Sequence, residues 1–283
     1  MTADRQWGEP TPTHDPEVLA HFRPRPTDVL ITTAPKAGTT WMQQILYQLR
    51  SGGDDSFGSI GEVVPWLELP RAGQNWRDAL ERYDALPDPR IFKTHCTFEQ
   101  TPGWGTVRIV MTSRDPRDAC ISFYHHIRDM TDTARAHHGL ELPGSFDAYL
   151  DEWLGYGAWY RNVASWWPHR DDPRLLWLRY QDLKDDLAGN MRRILAFLGW
   201  TVTPEQFARA VELSAFEWMK ANTLRFTRSE SGGEPVFKPG GFIRGGRVGD
   251  HETELNDVQE RRILDKARET LEPACLRYHG IDA

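Results

Sequence analysis

One stretch limits the fold more than any other: "DVLITTAPKAGTTWMQQILYQLRSGG", residues 28–53. A β-branched run over 28–34 enters a turn containing Pro35, Lys36 and Gly38. It leaves as a segment with Trp41, Ile45, Leu46 and Leu49 at helical spacing, closed by Gly52 and Gly53. Three further runs, "RIFKTH" (90–95), "VRIVMTSRD" (107–115) and "RLLWLRY" (174–180), suit buried parallel strands and are separated by helical patterns. Strands alternating with helices require a sheet covered on both faces. The expected fold class is α/β, a three-layer domain with a central parallel sheet flanked by helices.

Asp115 and Pro116 mark a helix start before "RDACISFYHHIRDM", as N-cap and first helical residue. "FDAYLDEWLGYGAWYRNVASWWPHR" predicts an aromatic helical pair broken at Pro168. Helices are also expected over "NMRRILAFLGW", "PEQFARAVELSAFEWMKAN" and "ELNDVQERRILDKARETL". Residues 1–26, rich in proline, read as an irregular surface lead-in, and 27–283 as a single domain. From Thr223 to Asp250 the pattern fails in a Gly-, Ser- and Pro-rich loop, a length that in a compact domain points to function or mobility.

A formal charge of −7 argues against a chain that coats long nucleic acids, while leaving room for a local basic pocket. No apolar run approaches a membrane span, and "MTADRQWGEP" has no basic then apolar leader pattern, so a soluble cytoplasmic protein is expected. Cys96, Cys120 and Cys275 lack CxxC spacing and read as reduced thiols.

A strand, a tight turn and a helix N-terminus together attract anions, the architecture of a P-loop. The triphosphate pattern GxxxxGK[ST] is not met, because the lysine here precedes the glycine in Pro35-Lys36-Ala37-Gly38-Thr39-Thr40. On turn chemistry alone, an anion seat and an ordinary strand-to-helix turn are equally admissible.

"APKAGTTW" resembles the 5′-phosphosulfate loop of the cytosolic-type sulfotransferases, which use 3′-phosphoadenosine 5′-phosphosulfate (PAPS). Four more segments follow in that family's order: "FKTH" (92–95), "SRDPRDACISFYHH" (113–126), "GYGAWYRNVASWW" with "LRYQDLKDDL", and "GGFIRGGRVGD". The resemblance covers about residues 28 to 265 and implies a P-loop-like fold. It implies His95 as base, Lys36 on the leaving phosphate and Lys93 in the field around the sulfonate. It gives Lys36, Ala37, Gly38, Thr39 and Thr40 to the 5′ end of the cosubstrate, and Arg114 and Ser122 to its 3′-phosphate. Trp41, Tyr180, Ser214 and Phe216 fall to the adenine; Phe242, Arg244, Gly245 and Gly246 fall to the C-terminal nucleotide loop. His95, at the carboxyl end of a strand, also stands where open α/β sheets bind ligands.

The C-terminal loop departs from the pattern Arg-Lys-Gly: Gly245 stands in place of the lysine, and Arg247 is a candidate substitute. Weaker PAPS binding or a rearranged loop is expected from this change. "ELNDVQERR" lacks the KxxxTVxxxE pattern through which many animal members pair. The histidine pairs His125-His126 and His137-His138 fit no metal template; the first pair is expected near the acceptor pocket and the second in solvent. No metal is required. The acceptor, a small molecule bearing a hydroxyl, is expected in a pocket built from 57–87, 125–149 and 223–242; Trp66, Trp76, Phe146, Tyr149 and Phe237 there suit an apolar or aromatic guest. Two rivals remain, a P-loop phosphotransferase and a nucleotide-binding regulator without turnover.

Overall fold

In the computed structural model, residues 6–69, 73–227 and 236–282 are described, the side chain of His137 excepted. Four strands, β1 (Val29–Thr33), β2 (Ile91–Thr94), β3 (Arg108–Ser113) and β4 (Leu175–Arg179), form one sheet in the order β2-β1-β3-β4. All three pairings are parallel, with Val29 opposite both Ile91 and Arg108, and Ile109 opposite Leu175. Side-chain alternation along each strand feeds two separate cores. Leu30, Phe92, Ile109, Met111 and Trp177 point to one face, where the aromatic helices Phe146–Tyr156 and Ala158–Trp166 supply Trp153, Trp159, Tyr160 and Trp166. Val29, Ile31, Ile91, Val110 and Leu178 point to the other, against Met42, Ile45, Leu46 and Leu49 of the Thr39–Ser51 helix. This is the three-layer parallel architecture that the sequence pattern predicts.

Strand order places β2 on one side of β1 and β3 on the other. The connections therefore diverge at the carboxyl ends of β1 and β3 and open a crevice, the place where open α/β sheets take ligands. The turn after β1 and Arg114 after β3 both face it.

Several boundaries differ from the sequence reading for local reasons. The aromatic helical pair is divided at Gly157, which is left-handed at φ 59°, and Pro168 sits in a 3-10 turn, Trp167–His169, that follows the second helix. "PEQFARAVELSAFEWMKAN" is two helices, Pro204–Leu213 and Phe216–Ala221. The lead-in is not irregular throughout: Asp15 caps a helix over Pro16–His21 by accepting from the Glu17 N–H. Val18, Leu19 and Phe22 of that segment are buried in the first core. A short closing helix, Pro273–Tyr278, also lies beyond the expected last one. Of the long loop, 228–235 lies outside the described residues, so its expected mobility falls partly there; Phe237 beyond it pairs with Met130 in an antiparallel bridge. Cys96, Cys120 and Cys275 are free and buried, in keeping with reduced thiols. Among the described residues, no helix is long and apolar enough to cross a membrane.

Candidate active site

Thr33, the last residue of β1, is joined to both halves of the site. Its hydroxyl shares a 2.5 Å hydrogen bond with the Thr39 hydroxyl, which fixes the start of the helix against the strand end. Its carbonyl, 2.8 Å away, accepts the Nδ1–H of His95 from the end of β2. Between them the chain turns through Lys36 at φ 66°, the one non-glycine residue with positive φ among the described residues, and Gly38 at φ 97°. A lysine in this region is disfavoured by about 1–2 kcal/mol, a strain that clusters at binding sites. Gly38 is required for a second reason: a Cβ there would stand 2.9 Å from the Tyr180 ring. The helix it opens has no side-chain cap, and its first bond runs from Met42 N–H to the Gly38 carbonyl at 3.0 Å. The N–H groups of Thr39 and Thr40 thus have no intrahelical acceptor and are available to an anion.

A cavity of about 1760 Å³ runs over this turn. Lys36, Gly38, Thr39, Thr40, Trp41, Lys93, His95, Arg114, Ser122, Tyr180, Phe216, Phe242, Arg244, Gly245 and Gly246, far apart in sequence, all line it. Ala37 and Ser214 are fully buried and stand behind the wall. The Ala37 N–H is bonded to the Ala34 carbonyl, and the Ser214 carbonyl accepts the Trp41 Nε1–H at 2.8 Å. Ser214 thereby orients the tryptophan from behind.

The electrostatics favour an anion. Burial first, then the charges of Arg114 and Arg244, lower the Lys36 ammonium to about 8. Its Nζ lies 3.2 Å from His126 Nδ1; since an ammonium only donates, Nδ1 accepts and the His126 proton sits on Nε2. Burial, followed by Lys36 and Lys93, pushes His126 well below its ordinary range. Burial and then Lys93 bring His95 down to about 3, against the opposing pull of the Thr33 carbonyl. His95 is therefore neutral near pH 7, with its basic lone pair on Nε2. Lys93 lies with its Nζ 4.0 Å from the centre of the Trp66 ring.

Arg114 emerges from β3 over the Tyr180 ring at 4.8 Å and pairs with Asp118 at 3.3 Å. Its Nε is buried without a hydrogen-bond partner among the described residues, a donor left for a ligand. Asp118 itself was not singled out in the sequence. It is fully buried and receives the Gly249 N–H at 3.0 Å and His251 Nδ1–H at 2.8 Å, so it fastens the C-terminal loop to the Pro116–Asp129 helix. Burial alone would raise the Asp118 carboxyl, but the His251 bond and the Arg114 charge outweigh it and hold it at about 2. His251 is raised overall, burial being overcome by Asp118. The two residues are 133 apart, and no local pattern reveals the contact.

Other expectations divide. Asp115 caps its helix as expected, and the half-buried Arg117 beside it pairs with Asp115 and Glu260. Arg244 is exposed and paired with Asp250 and Glu254, and the Arg247 side chain is exposed and absent from the cavity wall. Trp66, Tyr149 and Phe237 line the cavity; Trp76 and Phe146 do not. His126 lines it, and so does His138, which is half-buried rather than solvated; His125 lines it and bonds Glu254 at 2.5 Å. The side chain of His137 lies outside the described residues.

The His251–Asp118 contact carries a pH signature. A raised imidazole pKa stabilises fully below the unfolded value of about 6.5 and fades as pH rises through the folded one. The lowered Asp118 contributes above its unfolded value of about 3.9, a share lost as pH falls towards about 2. Thermal unfolding of the native protein and His251→Asn should show the native advantage largest between these limits and shrinking on the alkaline side.

The family model of the sulfotransferase domain matches residues 26–272. Human Sulfotransferase 1C2 is 30% identical over 272 residues, spanning 92% of this chain and 88% of that protein. Mouse Sulfotransferase 1B1 is 33% identical over 218 residues, 74% of this chain and 70% of its own length. Among solved structures, mouse sulfotransferase SULT7A1 complexed with PAP aligns with a TM-score of 0.71 at 23% identity, covering 93% of this chain and 92% of that one. Retinol dehydratase in complex with androsterone and PAP gives 0.69 at 22% identity, covering 88% and 82%. At these identities the structural likeness speaks for the fold.

Proposed function

Because the chain belongs to the sulfotransferase domain family, we propose that it transfers a sulfonate group from PAPS to the hydroxyl of a small apolar or aromatic acceptor, with His95 as general base. PAPS supplies the sulfonate on an anhydride to phosphate, a bond whose cleavage leaves adenosine 3′,5′-bisphosphate (PAP). The acceptor oxygen forms the new S–O bond as the old one breaks, and its proton goes to His95 Nε2. The observation that carries this reading is the 2.8 Å bond from His95 Nδ1–H to the Thr33 carbonyl, which anchors the imidazole to the strand end from which the turn starts and leaves the basic Nε2 unbonded to it.

Lys36 exchanges His126 for the leaving phosphate oxygen, where its charge offsets the negative charge that develops. An arriving anion raises both Lys36 and His95 towards their ordinary ranges, which restores basicity to the imidazole. The cavity-lining edge of the turn, with the N–H groups of Thr39 and Thr40, holds the 5′ end. Arg114 and Ser122 receive the 3′-phosphate, the Arg114 fork lending its unpartnered Nε. Trp41, Tyr180 and Phe216 take the adenine; Lys93 adds positive charge near the sulfonate. The acceptor lies towards Trp66, Phe123, Tyr149 and Phe237, an aromatic wall that fits a ring-bearing alcohol or phenol.

His95→Ala is expected to reduce turnover by at least a thousandfold in a PAPS-dependent screen of phenols and alcohols, with PAP affinity changed less than about threefold. Retained turnover would remove His95 from the chemistry.

A PAP-binding regulator is the second reading, motivated by Gly245. A Cβ at that position would meet nothing nearer than the Arg247 Cγ at 3.7 Å, and the backbone there is not left-handed, so the position admits a side chain. Gly245→Lys should therefore fold normally and, by adding one phosphate contact, tighten PAP about tenfold, a gain of about 1.4 kcal/mol in calorimetry. An unchanged affinity would show that the loop does not approach the phosphates at this residue.

A further inference from the structure

Next to the base, three side chains with metal-binding atoms converge on the cavity wall. His14 comes from the N-terminal segment, Glu68 from the stretch facing the end of β2, and Cys96 from the residue after His95. One ligand atom from each, a nitrogen, an oxygen and a sulfur, lies within 4.8 Å of the other two. All three line the cavity, and Glu68 and Cys96 are 1% and 2% exposed.

Glu68 supplies the independent sign of a missing partner. Its Oε1 accepts the His95 backbone N–H at 2.9 Å. Its Oε2 is buried and accepts from no nitrogen or oxygen donor among the described residues, with the Cys96 thiol as the side chain that faces this carboxylate. His14 is held ready: its backbone closes a tight turn with Thr11 at 3.0 and 3.1 Å, and its Nε2–H donates to the Trp7 carbonyl at 2.5 Å. That bond leaves the free lone pair on Nδ1, the arrangement in which a ligating histidine gives its other nitrogen to a backbone carbonyl. The Asp15 N–H to Glu68 carbonyl bond, 2.7 Å, fastens the segment to the acidic residue.

We propose that His14, Glu68 and Cys96 form an inhibitory site for a borderline-soft divalent cation of the zinc class, three-coordinate from the protein and open to the cavity. Mixed N, O and S donors select such an ion over magnesium or calcium, and three ligands with one open position are a stable zinc arrangement. Binding converts the Cys96 thiol to thiolate and releases one proton per ion to solvent. The cation then competes with the His95 backbone N–H for Glu68, loosening the bond that holds the proposed base in place, so it opposes transfer. Metal binding stands apart from the proposed reaction; only the inhibition rests on it.

Cobalt(II) is the probe, titrated into the full-length protein. One equivalent should bring up a near-ultraviolet thiolate-to-cobalt charge-transfer band, release one proton and be displaced by zinc. Cys96→Ala should abolish the band and His14→Ala should weaken binding at least tenfold; both variants should retain native circular dichroism. His14→Ala, on a half-buried surface turn, keeps the test valid if the cysteine variant misfolds. No band, or a band and affinity unchanged in these variants, would overturn the site. In a sulfonate-transfer assay, zinc inhibition reversed by chelator in the native protein and lost in His14→Ala supports the inhibitory role; cobalt binding with unaffected turnover overturns that role while leaving the site.

Discussion

The site depends on Thr33 and the turn it starts. At the carboxyl end of β1 this one residue bonds the helix through its hydroxyl and the His95 imidazole through its carbonyl. The turn between Thr33 and Thr39 is too tight for an unstrained chain, and Lys36 takes a left-handed backbone conformation to complete it. Parallel pairing of β1 with β2 and β3 sets the rest, because it brings His95 and Arg114 to the same sheet edge on opposite sides of the turn.

A chain of net charge −7 concentrates positive charge at this edge. Lys36, Lys93, Arg114 and Arg244 line one cavity, and the Thr39–Ser51 helix directs its uncapped N-terminus there. Mutual repulsion and burial explain the lowered Lys36 and the neutral His95. Asp118 supplies the counterweight from behind, where it pairs with one Arg114 nitrogen and holds the 249–251 loop without entering the cavity. The result is a pocket whose cations are only partly compensated, a condition that a polyanionic ligand relieves.

Sequence made the layers legible because three strands are short runs rich in β-branched residues and the fourth, LLWLR, is a short apolar run, and 28–34, 90–95, 107–115 and 174–180 each contain an observed strand. Helix ends were legible where a cap states them, as at Asp115-Pro116 and Gly52. The helix Pro16–His21 has the same signals, an aspartate before a proline, but its six residues are too few for a periodicity to stand out against the surrounding prolines. For the site, motif order anticipated residues that share one cavity, yet it missed the contacts between them. The Lys36–His126 bond spans 90 residues and the Asp118–His251 bond 133, and neither leaves a local trace. Ser214 shows the opposite case, a motif residue whose carbonyl acts from behind the wall.

Lys36 waits on His126 in the proposed anion seat and changes partner when a nucleotide phosphate arrives. Nitrogen-detected NMR of the Lys36 ammonium, titrated with and without PAP, tests it directly. The Lys36 ammonium should titrate near the depressed value of about 8 in the free protein and at least one unit higher in the complex. An ordinary lysine value in the free protein, or one indifferent to the bisphosphate, would contradict it.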